Sequence, residues 1–389
     1  MAQPYPHLLS PLQCGKFIFK NRMQSSNSLP HFSQGPEKYP ADPTIAHFLG
    51  RAKSGAAFVT LAGFEDSVNA PQFPDTLDMS HFPEFDLRNA LCQSYMVELI
   101  EAMHYEGTLV SGSLFSATKT FRYENEKGEV EIIDANPPID MTLGATSMII
   151  QQTGDEVSAE DLVKIAKSYG QKTAFYKRLG FDAVTLHMSY RAQLPGQLLS
   201  PLSNKRTDEF GGCFENRLRL PRLIVENIRR KTGGIMPILC RINASDELDG
   251  GQSVQDAAAV AAYLEQECGV DAIHVSRAVH LRDEFMWAPG QFHGGFSAPL
   301  VEEIKRAVTV PVIAVGRFTE PQYAELLVRQ GRADLIAFGR QSIADPELPN
   351  RARDGQLETL APCIGCLLGC VPNMLSGRPI TCAVKPLVG

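Results

Sequence analysis

Val310-Pro311-Val312-Ile313-Ala314-Val315-Gly316-Arg317 and, one helical stretch later, Ala333-Asp334-Leu335-Ile336-Ala337-Phe338-Gly339-Arg340 decide how this chain folds. Neither run alternates apolar with polar residues. That pattern belongs to strands covered on both faces, as parallel strands are. Outward from this pair, strands are expected at Arg22–Ser25, Ala57–Leu61, Thr108–Ser111, Asp182–His187, Pro237–Ile242 and Asp271–Ser276, with Val310–Val315 and Asp334–Phe338 as the last two. Amphipathic helices are expected at Phe85–Tyr105, Ala159–Leu179, Phe214–Lys231, Val254–Glu267, Pro299–Ala307 and Pro321–Arg329. Ser158 with Asp161, and Ser253 with Asp256, have the spacing of capped helix starts. Eight strand–helix units predict an α/β fold, a closed (β/α)8 TIM barrel rather than an open sheet.

Two segments fall outside the repeat. Leu12–Phe19 reads as a hairpin turning at Cys14-Gly15 and plugging the barrel's N-terminal opening. Phe115–Thr153 follows the third strand and is long enough to serve as a lid over the C-terminal face, where barrels carry their sites. A chain of 389 residues suffices for one such barrel. The expected division is residues 1–355 for the barrel and 356–389 for an extended, proline-interrupted tail.

That tail carries Cys363, Cys366, Cys370 and Cys382, spaced C-x2-C-x3-C-x11-C, while the other five cysteines are scattered singly. Thiolates at such spacing suit an iron–sulfur cluster. Zinc usually takes two separated C-x2-C knuckles, and a disulfide-linked tail would imply export. The net charge of −7 and a pI near 5.8, with no basic run, argue against nucleic acid as a partner. No leader-like segment and no long apolar stretch is evident, so a cytoplasmic protein with reduced cysteines and no membrane partner is expected.

Several residues at strand ends invite chemistry. Gly316-Arg317 and Gly339-Arg340 each follow an apolar strand, and glycine amides with arginine suit a phosphate; the plain alternative is that the glycines only turn the chain. Arg241 interrupts an apolar strand, so it must meet an anion, an electron-rich ring or a neighbouring carboxylate. His187, Tyr190 and Arg191 crowd the end of the fourth strand, as donors polarising a carbonyl would.

Downstream, Leu199 to Arg219 reads LSPLSNKRTDEFGGCFENRLR, which resembles the signature loop of the old yellow enzyme family of flavin-dependent ene-reductases. LLSPLQCGKFIFKNR at the N-terminus, the VGRF and AFGR pair, and ADPELP before APCIGCLLGC extend the resemblance over nearly the whole chain. The cysteine spacing is similar to that of the subgroup containing bacterial 2,4-dienoyl-CoA reductase, 2-enoate reductases, and gut-bacterial steroid, bile acid and flavone reductases. The resemblance implies FMN at the barrel mouth and a [4Fe-4S] cluster on Cys363, Cys366, Cys370 and Cys382. It implies Arg241 against the flavin ring, Gly316, Arg317, Gly339 and Arg340 on its phosphate, and Ser25, Ser26 and Ala57 beside the ring. Hydride from FMN, with NADH or NADPH as donor, would reduce an α,β-unsaturated carbonyl while Tyr190 protonates the α-carbon and His187 and Arg191 hold the carbonyl.

The chain departs from the family at Ala192, where a tyrosine is usual, and at VSGSLF, which lacks a usual glutamine and histidine. The altered donors and a phenylalanine-rich lid favour a bulky cyclic enone, such as a flavone or 3-oxo-steroid. A dienoyl-CoA or enoate reductase, an amine dehydrogenase and an electron-transfer flavoprotein remain alternatives. No G-x-G-x-x-G follows a strand, so hydride is taken directly from a nicotinamide, or an FAD/NAD(P)-binding module lies outside this chain. Homo-oligomers are compatible with this reading.

Overall fold

The computed structural model describes residues 3–32, 40, 42–61, 64–65, 85–86, 89–114, 120–134, 157–191, 193–279, 282–376, 378–386 and 388. Eight parallel strands close into a barrel: β1 Met23–Ser25, β2 Phe58–Leu61, β3 Leu109–Leu114, β4 Ala183–His187, β5 Ile238–Asn243, β6 Ala272–Ser276, β7 Val312–Val315 and β8 Leu335–Phe338, with β8 pairing back to β1. The two opening runs are the neighbours β7 and β8, and every residue of β8 is buried.

The hairpin Leu12–Cys14/Phe17–Phe19 seals the entry end. Its Cys14 and Phe19 pack with Phe58, Ala183, Leu239, Ala272, Ile313 and Leu335 as an apolar floor. Burial there pushes the Cys14 thiol up to about 12, so it stays protonated.

At the rim of this floor one device recurs three times. Asp182, Asp271 and Asp334 precede β4, β6 and β8. Each accepts, on its Oδ2, a backbone N–H from the first or second residue of the adjoining strand: Val110 at 2.7 Å, Ile238 at 2.8 Å and Val312 at 2.7 Å. The same oxygen meets a basic side chain from a packing helix: His104 Nε2 at 2.7 Å, Arg229 at 2.7 Å and Lys305 at 2.9 Å. Strand ends leave unpaired donors, and these carboxylates satisfy them while carrying a matched charge.

Above the floor the interior turns polar. Gln24 Nε2 donates to Thr60 Oγ1 at 2.9 Å, and the Ser111 and Thr185 hydroxyls bond at 2.9 Å. His187, Arg241 and His274 stand in register on β4, β5 and β6. Burial, with Arg241 and then His187 nearby, holds the His274 imidazole well below its usual pKa, so it is neutral.

Three local expectations are corrected. The helix expected from Phe85 begins at Ala90, because the Asn89 side chain accepts from Leu91 N and caps it there. The stretch expected as one helix from Phe214 divides at Leu218 into Phe214–Arg217 and Arg219–Thr232; Pro221 has no N–H to continue the ladder. The tail is not wholly extended, since Val371–Leu375 forms a helical turn with Pro372 in the first turn, a position that proline tolerates. Within the long segment after β3, Thr120–Glu124 and Val130–Asp134 form an antiparallel hairpin packed on helix Ala159–Arg178. The rest of Phe115–Thr153 lies outside the described residues. The helix Asp42–Lys53 was not anticipated. Among the described residues no helix is long and apolar enough to cross a membrane.

Candidate active site

A cleft of about 1050 Å³, counted to its open rim, lies at the C-terminal mouth of the barrel. The ends of β5 to β8 and β1 bring Arg241, Arg277, Gly316, Arg317, Gly339, Arg340 and Ser26 to its wall. Among the described residues that line it are four arginines and no carboxylate.

These cations are unusually placed. Arg317 Nη1 donates to the carbonyls of Pro289 (3.2 Å), Gly290 (2.7 Å) and Phe292, while its Nε is buried without a partner. Arg340 donates from Nη2 to Ala288 O at 2.9 Å, and its buried Nη1 has no partner. Trp287 Nε1 on the same wall is likewise unsatisfied. Buried donors without acceptors are costly, so clustering three around one cleft marks the seat of an anionic, hydrogen-bonding ligand. Gly316 has φ +147° and an added Cβ would stand 3.0 Å from Ser297 Oγ, a cradle that only glycine leaves open. The donor set fits the phosphate and polar edge of a flavin mononucleotide.

Arg241 is buried inside β5 and has no carboxylate partner among the described residues. Its Nε donates to Ser276 Oγ at 2.7 Å and its Nη2 to the Tyr190 hydroxyl at 2.5 Å, with the guanidinium 5.1 Å from the Tyr190 ring centroid. Tyr190 and Arg191 both have positive φ, +66° and +57°. The Tyr190 N–H bonds Asn243 Oδ1 at 3.0 Å, which helps to hold this strained turn.

The other expected donors take different positions. Arg191 does not line the cleft: it is buried, its Nη2 pairs with the fully buried Asp246, and its Nη1 donates to Gly196 O at 2.7 Å. Both nitrogens are thus committed inside the protein, which corrects the carbonyl-holding role expected of Arg191. His187 is also buried off the cleft wall, its ring 5.6 Å from that of Tyr190. Ser25 closes β1 beneath Ser26, with its hydroxyl buried and unpartnered. Ala57 is a correction. It precedes β2 and packs in the floor with Phe58, at the opposite end of the strand from the mouth.

Cys363, Cys366, Cys370 and Cys382 are all free thiols and border one cavity of about 340 Å³, counted to its open rim. Among the described residues no three His, Cys, Asp or Glu side chains are grouped to hold a single metal ion. Four thiols are the ligand set that an iron–sulfur cluster takes, so the residues present fit that group. Arg340, Ile343, Cys363 and Cys370 border both this cavity and the cleft.

One part of the wall escaped the sequence reading. The segment after β6 supplies Arg277, Phe285, Trp287 and Phe296. Arg277 stacks 4.7 Å from Phe285 and 5.2 Å from Phe296, and its Nε pairs with Glu247 at 2.8 Å. A signal was available: Val275-Ser276-Arg277 repeats the pattern of a small residue and an arginine that marks the ends of β7 and β8.

Comparison with known proteins places this geometry. The chain is 28% identical to an NADH oxidase of Thermoanaerobacter brockii over 99% of its own length and 56% of that protein's. It is 30% identical to a metal reductase of Desulforamulus reducens over 98% of its length and 54% of the other. The chain therefore spans about half the length of these curated relatives. Among solved structures, a 2-naphthoyl-CoA reductase superposes with a TM-score of 0.83 at 22% identity, over 99% of this chain and 57% of that one. Morphinone reductase superposes at 0.64 and 22% identity, over 90% and 91%. Both likenesses show the barrel fold. Residues 7–358 match the profile of the NADH:flavin oxidoreductase / NADH oxidase family, the old yellow enzyme family, and the chain belongs to it.

Proposed function

We propose that this chain is an FMN-dependent ene-reductase that reduces the C=C bond of an α,β-unsaturated carbonyl compound, with NADH or NADPH as ultimate donor. Arg241 and the Gly316-Arg317 and Gly339-Arg340 pairs would hold FMN, which would supply the hydride chemistry. The observation that carries this reading is the 2.5 Å contact from Arg241 to the Tyr190 hydroxyl at the mouth of the cleft. A phenol that gives its proton to the α-carbon becomes an anion, and a guanidinium already hydrogen-bonded to that oxygen stabilises it. Arg241 is fixed by Ser276, so the donor is set before substrate arrives. A relative from Clostridium sporogenes, 25% identical over the full chain, is named cinnamate reductase, which supports alkene reduction next to a carbonyl.

Cys363, Cys366, Cys370 and Cys382 would hold a [4Fe-4S] cluster, a group that supplies one-electron transfer, on an extension, residues 356–389, appended to the barrel, residues 1–355. The aromatic wall of Phe285, Trp287 and Phe296 supports a bulky cyclic enone, such as a flavone or a 3-oxo-steroid, as substrate.

Anaerobic rapid mixing of the flavin-loaded protein tests the proposal on its two half-reactions. Tyr190→Phe keeps the ring and removes the hydroxyl. Flavin reduction by nicotinamide should persist, and oxidation of the reduced flavin by an enone should slow by about 10²–10⁴-fold. An unchanged oxidative half-reaction in this variant moves the acid elsewhere. Failure of every enone, enoate and enoyl thioester to reoxidise the parent protein removes the ene-reductase reading.

A further inference from the structure

The wall between the cleft and the cysteine cavity is a few side chains thick. Arg340, Ile343, Cys363 and Cys370 face both. Arg340 is the one Asp, Glu, Lys or Arg side chain among the described residues around the cysteine cavity. The cysteine-bearing segment also supplies Cys363, Cys370, Val371, Met374 and Ile380 to the cleft.

A backbone strap links the two sites as well. Residues 288–292 are held by carbonyl contacts to Arg340 and Arg317, the two arginines of the phosphate cradle. The same strap grips the cysteine loop, because Gly290 N donates to Gly365 O at 3.1 Å. The approach there is too close for side chains. A Cβ on Gly290 would stand 2.8 Å from Ile364 O, and one on Gly365 would stand 2.7 Å from Gly290 N.

We infer that FMN binding and cluster binding are coupled, each raising the affinity for the other through this shared wall. The inference rests on the reading above that places FMN in the cleft and a cluster on the four cysteines. A cluster joins four thiolates across residues 363–382, so it fixes the segment that closes the cleft. A phosphate on Arg317 and Arg340 in turn fixes the strap against which the cysteine loop rests. Two anionic groups near one cation also repel, but Arg340 stands in the wall between the two cavities and offsets part of that repulsion. Each site therefore meets a partner already ordered, and the coupling is reciprocal by linkage.

FMN affinity is measured anaerobically by fluorescence quenching, on iron-loaded protein and on protein stripped by chelator. FMN should bind about tenfold more weakly to the stripped form, within the usual range for coupled sites. Flavin-free protein should in turn release iron to a chelator faster than the flavin-loaded form. Gly290→Val keeps every cysteine and both arginines and disturbs the contact between the strap and Ile364 of the cysteine loop. It should weaken FMN binding and speed iron release together, which guards against a stripped protein that has merely unfolded. Arg340→Gln should do the same by removing the shared cation. Equal FMN affinity with and without iron, or a Gly290→Val protein altered in one cofactor alone, overturns the coupling. Protein that contains no iron, and takes none up on anaerobic reconstitution, instead overturns the cluster reading, and the coupling with it.

Discussion

The two ends of the barrel treat charge in opposite ways. At the floor, Asp182, Asp271 and Asp334 each meet a strand N–H and a basic helix side chain, so every group has its partner inside the protein. At the mouth, Arg241, Arg317 and Arg340 face a cleft whose described lining holds no carboxylate. Buried or half-buried cations are stable only when paired, so cations that the fold leaves unmatched identify where a ligand completes the structure. The floor contributes stability, whereas the mouth keeps its binding capacity for something from outside. Arg277, matched by Glu247, and Arg191, matched by Asp246, stand near the mouth yet follow the floor's rule.

That contrast can be broken at three points. The largest effect is expected at Arg191. If it is a structural cation despite its neighbour Tyr190, Arg191→Met leaves Asp246 buried and unpaired and should cost about 3–5 kcal/mol of stability. Chemical denaturation checks this. A variant of normal stability with a raised KM for enone would restore Arg191 to the substrate.

At the floor, Asp271→Ala removes the acceptor for Ile238 N and the partner of Arg229. A loss of about 1–3 kcal/mol is expected, with flavin affinity per folded molecule unchanged. Weakened flavin binding in the folded protein would show that the two ends are not independent.

The smallest effect concerns His104. Its hydrogen bond to Asp182 raises its pKa above the usual value, with burial opposing and the charges of Asp182 and Glu101 assisting. A raised folded pKa means that the stabilisation is fully present below about 6.5, the unfolded value, and is lost as pH rises through the folded pKa. Partial exposure keeps this below about 1 kcal/mol. Comparing the pH dependence of stability in the parent and His104→Gln should show the parent losing its advantage on the alkaline side. Parallel curves would dismiss the pair.

What the sequence made legible follows from where each signal resides. The barrel could be read because apolar runs and helix starts are local, and the aspartates of the floor even stand at the head of three expected strands, Asp182, Asp271 and Asp334. The Gly-Arg pairs could be placed at the mouth because each directly follows a strand that ends there. The donor run could not be resolved, since the partner that claims Arg191 lies 55 residues away in a different loop. Ala57 was misplaced by direction: a residue entering a parallel strand sits at the floor, and only one leaving it reaches the mouth. Phe285 and Trp287 were missed because a single helical turn, Asp283–Met286 with Trp287 as its cap, is too short to show a periodicity.

The left-handed turn at Tyr190 and Arg191 also bears on how new specificities arise on this scaffold. Glycine, asparagine and aspartate enter that backbone region with the least strain, whereas β-branched residues resist it. Variation at these two positions, by drift or in a designed library, is therefore channelled toward a short alphabet. Enzymes that lose the phenol here should more readily acquire an amide or carboxylate in its place than a valine or isoleucine.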